Sequence, residues 1–268
     1  KKLRDFRIRP KLRDDLVYHK RMTYDGEEKL ILEHPETHDL LEIYPDDTEV
    51  LELIDGQRCL RDIISEHCNE RNELQHIDYY SALMYRLVEL GFAESPRMTV
   101  ELKKQKQEKP SWRDRLERIL TAEYEFTEID GKLEQLYQSV GRHFFSWYGQ
   151  IVMAGLSIAG FVLFFPLYFT IIPHVDVAML LAIFPAEFVL GWVSLLGHEL
   201  AHGLAVHDSG TRCYKGGLAW YWVGPVGYMD TSMMWTKPLK DRLKVNLAGV
   251  YFNVFFAALW VIPAYLGW

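Results

Sequence analysis

Apolar positions fall into two regimes along this chain. Up to about residue 150 they alternate or recur at short intervals among charges, and beyond it they run on almost unbroken. Residues 151–172 form a stretch of 22 without a charge. At about 1.5 Å per helical residue that is enough to cross about 30 Å of hydrocarbon. Residues 177–196 form a second such stretch, interrupted only by Glu187, and 245–266 a third. Pro173-His174-Val175-Asp176 leaves only a tight turn between the first two. The pattern predicts three membrane-spanning helices.

The first half carries the periodicities of a small folded domain. Residues 16–21 and 29–33 flank Asp25-Gly26, a hairpin signal, and 40–44 add a third strand. Pro45-Asp46-Asp47-Thr48 supplies capping residues for a helix through Leu53, which Asp55-Gly56 ends. Residues 60–70 and 77–90 repeat apolar side chains at helical spacing, and Gly91 stops the second. Residues 94–110, with Lys103-Lys104-Gln105-Lys106, read as a linker. Residues 112–142 place Leu116, Ile119, Leu120, Leu133, Leu136 and Val140 among charges, as broken amphipathic helices on a membrane face would. Between the second and third apolar stretches, 214–235 predicts two strands turning at Gly224-Pro225, a β-hairpin associated with the membrane. Small-residue pairs, Gly155 with Ala159 and the stripe Asn246, Gly249, Asn253, suggest close helix packing.

The expected fold class is therefore multi-domain: a small α+β N-terminal domain (1–93), a linker with interfacial helices (94–146) and an α-helical transmembrane bundle with a hairpin (147–268). The chain opens on Lys1 and stops at Trp268 inside an apolar segment, so a longer protein is expected.

Charge adds orientation and partner class. Arg212, Lys215, Lys237, Lys240, Arg242 and Lys244 crowd the link between the second and third stretches, Arg113, Arg115, Arg118 and Arg142 precede the first, and the 173–176 turn has no Lys or Arg. Basic flanks stay in the cytoplasm, so the N-terminal domain is expected there, in a multi-pass protein of a bacterial inner membrane. Over residues 22–93 five Lys/Arg stand against eighteen Asp/Glu. Such a surface repels phosphates, which excludes nucleic acid and suits a basic or neutral peptide; a solvated acidic scaffold is the bland alternative. Cys59, Cys68 and Cys213 have no paired spacing, so they read as small apolar residues in a reducing compartment.

The candidate chemistry sits at the end of the second stretch, in His198-Glu199-Leu200-Ala201-His202. On a helix, positions i and i+4 bring two imidazoles to one side, where they can share an ion at about 2.0–2.1 Å, and Glu199 hangs beside it as the general base that takes a proton from water. Clustered ionisable groups at membrane depth are costly, by about 2.5 kcal/mol or more each, which calls for a compensating partner such as a metal. His207 falls on the opposite side of the helix and is a poor ligand; Glu187 shares the motif's side, a layer deeper. Asp230 is a third ligand or a turn residue. Asn246 and Asn253 are candidates for hydrogen-bonding a substrate, and Trp220 and Trp222 for contacting it along a strand edge or, alternatively, for an interfacial aromatic plug.

Gly197-His198-Glu199-Leu200-Ala201-His202-Gly203-Leu204, the strand pair and Asn246-Leu247-Ala248-Gly249-Val250-Tyr251-Phe252-Asn253 resemble the site-2 protease family of intramembrane zinc metallopeptidases, over about residues 147–268. Val250 stands where that family often has proline. The family's third ligand, an aspartate in an Asp-Gly motif on a later helix, has no counterpart between His202 and Trp268. Three readings stay open: that ligand lies beyond Trp268, Asp230 substitutes for it, or this copy holds no catalytic zinc. In the first half, Leu51-Glu52-Leu53-Ile54-Asp55-Gly56-Gln57-Arg58 and the Leu83, Leu87-Val88, Leu90-Gly91-Phe92 pattern resemble the PqqD-like peptide-recognition domain, a small winged-helix-like fold that binds leader peptides by strand addition. Together the resemblances imply Zn2+ as cofactor, a peptide or protein substrate, and a bilayer setting in bacterial peptide maturation or secretion. The alternative is a non-catalytic scaffold or leader-peptide-binding subunit working with exporter or membrane-fusion adaptor subunits.

Overall fold

The computed structural model describes residues 6–23, 26, 28–71, 76–100, 112, 123–127, 129–221 and 224–267. The chain divides into two compact units, Lys1–Trp112 and Arg113–Trp268.

In the first unit, strands β2 (Val17–Met22), β3 (Glu28–Glu33) and β4 (Leu40–Ile43) form an antiparallel sheet in that order, with Val17 opposite Glu33 and Leu30 opposite Ile43. Helices α1 (Pro45–Glu52), α2 (Leu60–Arg71) and α3 (Ile77–Glu89) follow, and β5 (Ala93–Glu94) pairs with β1 (Lys11–Leu12). Leu32, Val50, Leu60, Ile63, Met84, Leu87 and Phe92 make one core, each side chain buried completely. Full burial of each such side chain stabilises by about 1.5–3 kcal/mol.

Helix α3 ends because Gly91 takes φ +79°, letting Phe92 N–H reach Leu87 C=O (2.8 Å) and Gly91 N–H reach Val88 C=O (3.3 Å). That pairing satisfies the last carbonyls of the helix and seats Phe92 on Leu87. Asp25 of the expected turn lies outside the described residues; its neighbour Gly26 has φ +85°. The linker expected over 94–110 begins later than the sequence suggests. Glu94 belongs to β5 and residues 96–100 are helical, with Met98 buried in the core. Residues 101–111 lie outside the described set.

The second unit contains three helices long and apolar enough to cross a membrane: α6 (Trp147–Ile171), α7 (Val177–Asp208) and α8 (Leu239–Tyr265). Their outer surfaces are apolar, with Phe161, Phe169, Leu181, Phe184 and Phe188 all exposed. Hydrocarbon, unlike water, tolerates such a surface. Asp176 starts α7 by accepting the Met179 N–H at 2.8 Å.

Close crossings are made where a side chain is missing. A methyl group on Gly160 would stand 2.4 Å from Ala258, so α6 and α8 meet there. The expected Gly155–Ala159 pair is not that crossing, since Gly155 has open space at its Cβ position. The chain before α6 differs from the expected run of interfacial helices. Glu123–Thr127 is strand β6, which pairs with β7 (Lys215–Tyr221), and β7 pairs with β8 (Gly224–Met229). After it come the helical segments α4 (Asp130–Leu136), a π-helical turn at Tyr137–Gly141 and α5 (Arg142–Phe145). The charges of 123–127 alternate with aromatic residues, a period-two signal that the helical reading overlooked.

Gly224-Pro225 is not the turn. Both residues lie in β8, opposite Tyr221 and Trp220, and the connection falls at Trp222 and Val223, outside the described residues. Proline fits this strand because of ladder parity. Asp230 N–H bonds across to Lys215 C=O (2.9 Å), so residues 229, 227 and 225 turn their backbone groups away from β7, where a missing N–H breaks no ladder bond.

Candidate metal centre

Helix α7 positions the motif. His198 is 21 residues past Val177, about 32 Å along the axis, so the helix has already run the depth of a hydrocarbon core when the histidines begin. His198, Glu199 and His202 are each half-buried, and one potential ligand atom from each lies within 4.8 Å of the others. The two Nε2 atoms are 3.1 Å apart. Two nitrogens sharing an ion at about 2.0–2.1 Å with tetrahedral angles stand about 3.3 Å apart, so the pair fits a zinc-type ion with little movement.

Each ring is held from behind. His202 Nδ1 lies 2.7 Å from Val245 C=O on α8, an acceptor only, so Nδ1 carries the proton and Nε2 keeps its lone pair. His198 Nδ1 lies 3.0 Å from the Asn253 amide, whose oxygen accepts the Ser194 hydroxyl at 3.2 Å. Gly249 makes this approach possible, because a Cβ there would come within 2.5 Å of His198 Nε2. Gly197 likewise admits Phe252, at 2.3 Å from its Cβ position. Glu199 Oε2 accepts the Met229 N–H at 3.1 Å, one of the groups that β8 turns away from β7. A Cβ on Gly227, two residues back, would touch Glu199 Cγ at 3.3 Å.

The other expected residues fall elsewhere. Asp230 is not in the cluster; its carboxylate accepts the Ser232 N–H at 2.9 Å, the work of a turn residue. Asn246 is exposed on α8, and the helix faces α7 with Val245, Gly249 and Asn253, a four-residue repeat that keeps Gly249 and Asn253 of the expected stripe and has Val245 in place of Asn246. Glu187 and Trp220 are exposed, and Trp222 is outside the described residues. His207, opposite the motif, is buried between Asp130 Oδ1 (3.2 Å) and Glu134 Oε2 (2.9 Å) and stacks on Tyr137, whose hydroxyl donates to Asp208 at 2.6 Å. It ties α4 to the end of α7. Nearby Cys213 is buried, and burial pushes its thiol up to about 12, so it is inert. Behind the motif helix an apolar cavity of about 170 Å3 lies among Leu136, Phe144, Met153, Leu204 and Phe252.

Sequence reasoning missed Ser194, the Val245 carbonyl and the Met229 N–H. Ser194 precedes His198 by one helical turn, a signal available from spacing; the backbone groups leave none. Comparison of the chain with protein-family models, curated proteins and solved structures finds no match to any of them.

Proposed function

We propose that the chain is a membrane-embedded zinc metallopeptidase that cuts a peptide or membrane-associated substrate in bacterial peptide maturation or secretion. The supporting observation is the His198–His202 pair, with Nε2 atoms 3.1 Å apart beside Glu199 in a helix able to cross a membrane. His198 and His202 would hold the ion. Bound there, zinc polarises a peptide carbonyl and makes water a nucleophile near neutral pH. Glu199 takes the proton from the attacking water and passes it to the leaving amine, steadied by the Met229 N–H. An extended peptide added along the outward edge of β8 would lie beside that carboxylate, which the missing side chain of Gly227 lets come close to the strand. The β7–β8 pair acts as the membrane-associated hairpin of this reading.

The first unit serves as the PqqD-like peptide module. Among the described residues its sheet order leaves one edge of β2 without a partner strand, with Tyr18 and Met22 exposed along it, and leader peptides bind such modules by strand addition. Basic flanks around the three helices favour a cytoplasmic location for it.

Purified Glu199→Gln protein should keep one zinc per chain and lose peptide cleavage by about 10²–10⁴-fold. A chain without stoichiometric zinc, whose biological output survives this substitution, would overturn the proposal. One observation favours the second reading, a non-catalytic scaffold or leader-binding subunit of an export complex. Among the described residues only two imidazoles and Glu199 gather, whereas a catalytic zinc usually has three protein ligands besides water. That same assay separates the two.

A further inference from the structure

We propose that Asn253 is a two-position switch that sets the tautomer of His198, one way without an ion and the other way with one. The inference rests on the metallopeptidase reading and adds a positioning residue to it.

Donors and acceptors around the pair settle the first position. Val245 C=O only accepts, so His202 has Nδ1–H and an Nε2 lone pair. The 3.1 Å contact between the two Nε2 atoms then needs its proton on His198. That leaves His198 Nδ1 as an acceptor, satisfied at 3.0 Å by the Asn253 NH2, while the Asn253 oxygen accepts from Ser194. Ser194, Asn253, His198, His202 and Val245 thus form one chain running in a single direction.

An ion shared by the two Nε2 atoms reverses half of that chain. A neutral His198 that ligates through Nε2 carries its proton on Nδ1, which then faces the Asn253 NH2, donor against donor at 3.0 Å. Rotating the amide by 180° removes the conflict: Oδ1 accepts the Nδ1–H and the NH2 donates to Ser194 Oγ. Serine suits this place because a hydroxyl donates or accepts with equal ease. The oxygen and the NH2 group of the amide are thereby both engaged in either position.

The test measures Zn2+ dissociation constants by chelator competition on the full chain in detergent, and His198 15N shifts with and without Zn2+. Asn253→Asp, which only accepts, should bind Zn2+ at least as tightly as wild type and hold His198 as the Nδ1–H form in both states. Asn253→Leu, of similar size but unable to accept, should bind about 10–100-fold more weakly. Wild type should exchange Nε2–H for Nδ1–H on loading. If Asn253→Leu binds Zn2+ as tightly as wild type, or if Asn253→Asp binds as weakly as Asn253→Leu, the switch is overturned while the metal site stands. Absence of Zn2+ binding by wild type would overturn both.

Discussion

Gly249 and His198 decide the centre between them, because the imidazole occupies the volume a side chain at 249 would fill. Gly249→Ala places a methyl group 2.5 Å from Nε2 and drives the ring off its partner, so we expect Zn2+ affinity to fall by 10-fold or more, to be read by chelator competition. At this scale the motif His198-Glu199-His202 was legible, since i and i+4 must share a helix face. The supports were not. Val245 C=O and Met229 N–H are backbone groups that every sequence has, and only the approach of another element singles them out. Asp230 remained ambiguous for a related reason, since a carboxylate after a strand looks alike as a ligand and as a turn residue until its neighbours are known.

Strands and helices of the first unit follow their punctuation. Gly91 ends α3 in a conformation that strains any other residue, and a Cβ there would also come within 3.3 Å of His34 Nε2. Gly91→Ala should therefore destabilise this unit by about 1–2 kcal/mol, measured as a lower melting temperature of the full chain. Glu33, on β3, accepts from His19 Nε2 at 2.6 Å and His38 Nδ1 at 2.8 Å. Burial alone would raise its pKa, but the two imidazoles outweigh burial and hold it below the usual carboxylate value. A depressed folded pKa contributes stability that is present above the unfolded value of about 4.3 and is lost as pH falls through the folded one. Denaturation midpoints of Glu33→Gln should accordingly fall less than those of wild type between pH 5 and 3. Strand β6 escaped sequence reasoning because its alternation, Glu123-Tyr124-Glu125-Phe126, is too short to stand out from the charged segment around it; it exists through pairing with β7.

Three helices long and apolar enough to cross a membrane set the plan of the second unit. Three crossings would bring the 173–176 turn and the 209–238 connection out on opposite sides. Cysteine placed at His174 should react with an impermeant maleimide from one side only, and cysteine at Lys240 from the other; labelling of both from one side would remove the three-span arrangement. Helix α7 is the longest of the three, and the histidines fall about a hydrocarbon thickness from its start. There they are within reach of the β7–β8 pair.

What the sequence determined by itself is local: three apolar runs, the three-stranded sheet and the three helices that follow it in the first unit, and two histidines one turn apart. Each follows from periodicity, turn chemistry or reach along a single element. Tertiary structure decided which backbone groups hold the histidines, that α8 faces them with Gly249 and Asn253, that Pro225 belongs to an edge strand, and that Asp230 stays apart. Those outcomes depend on the one-residue phase at which helices meet and on ladder parity between strands, and both are set only when separate elements come into contact.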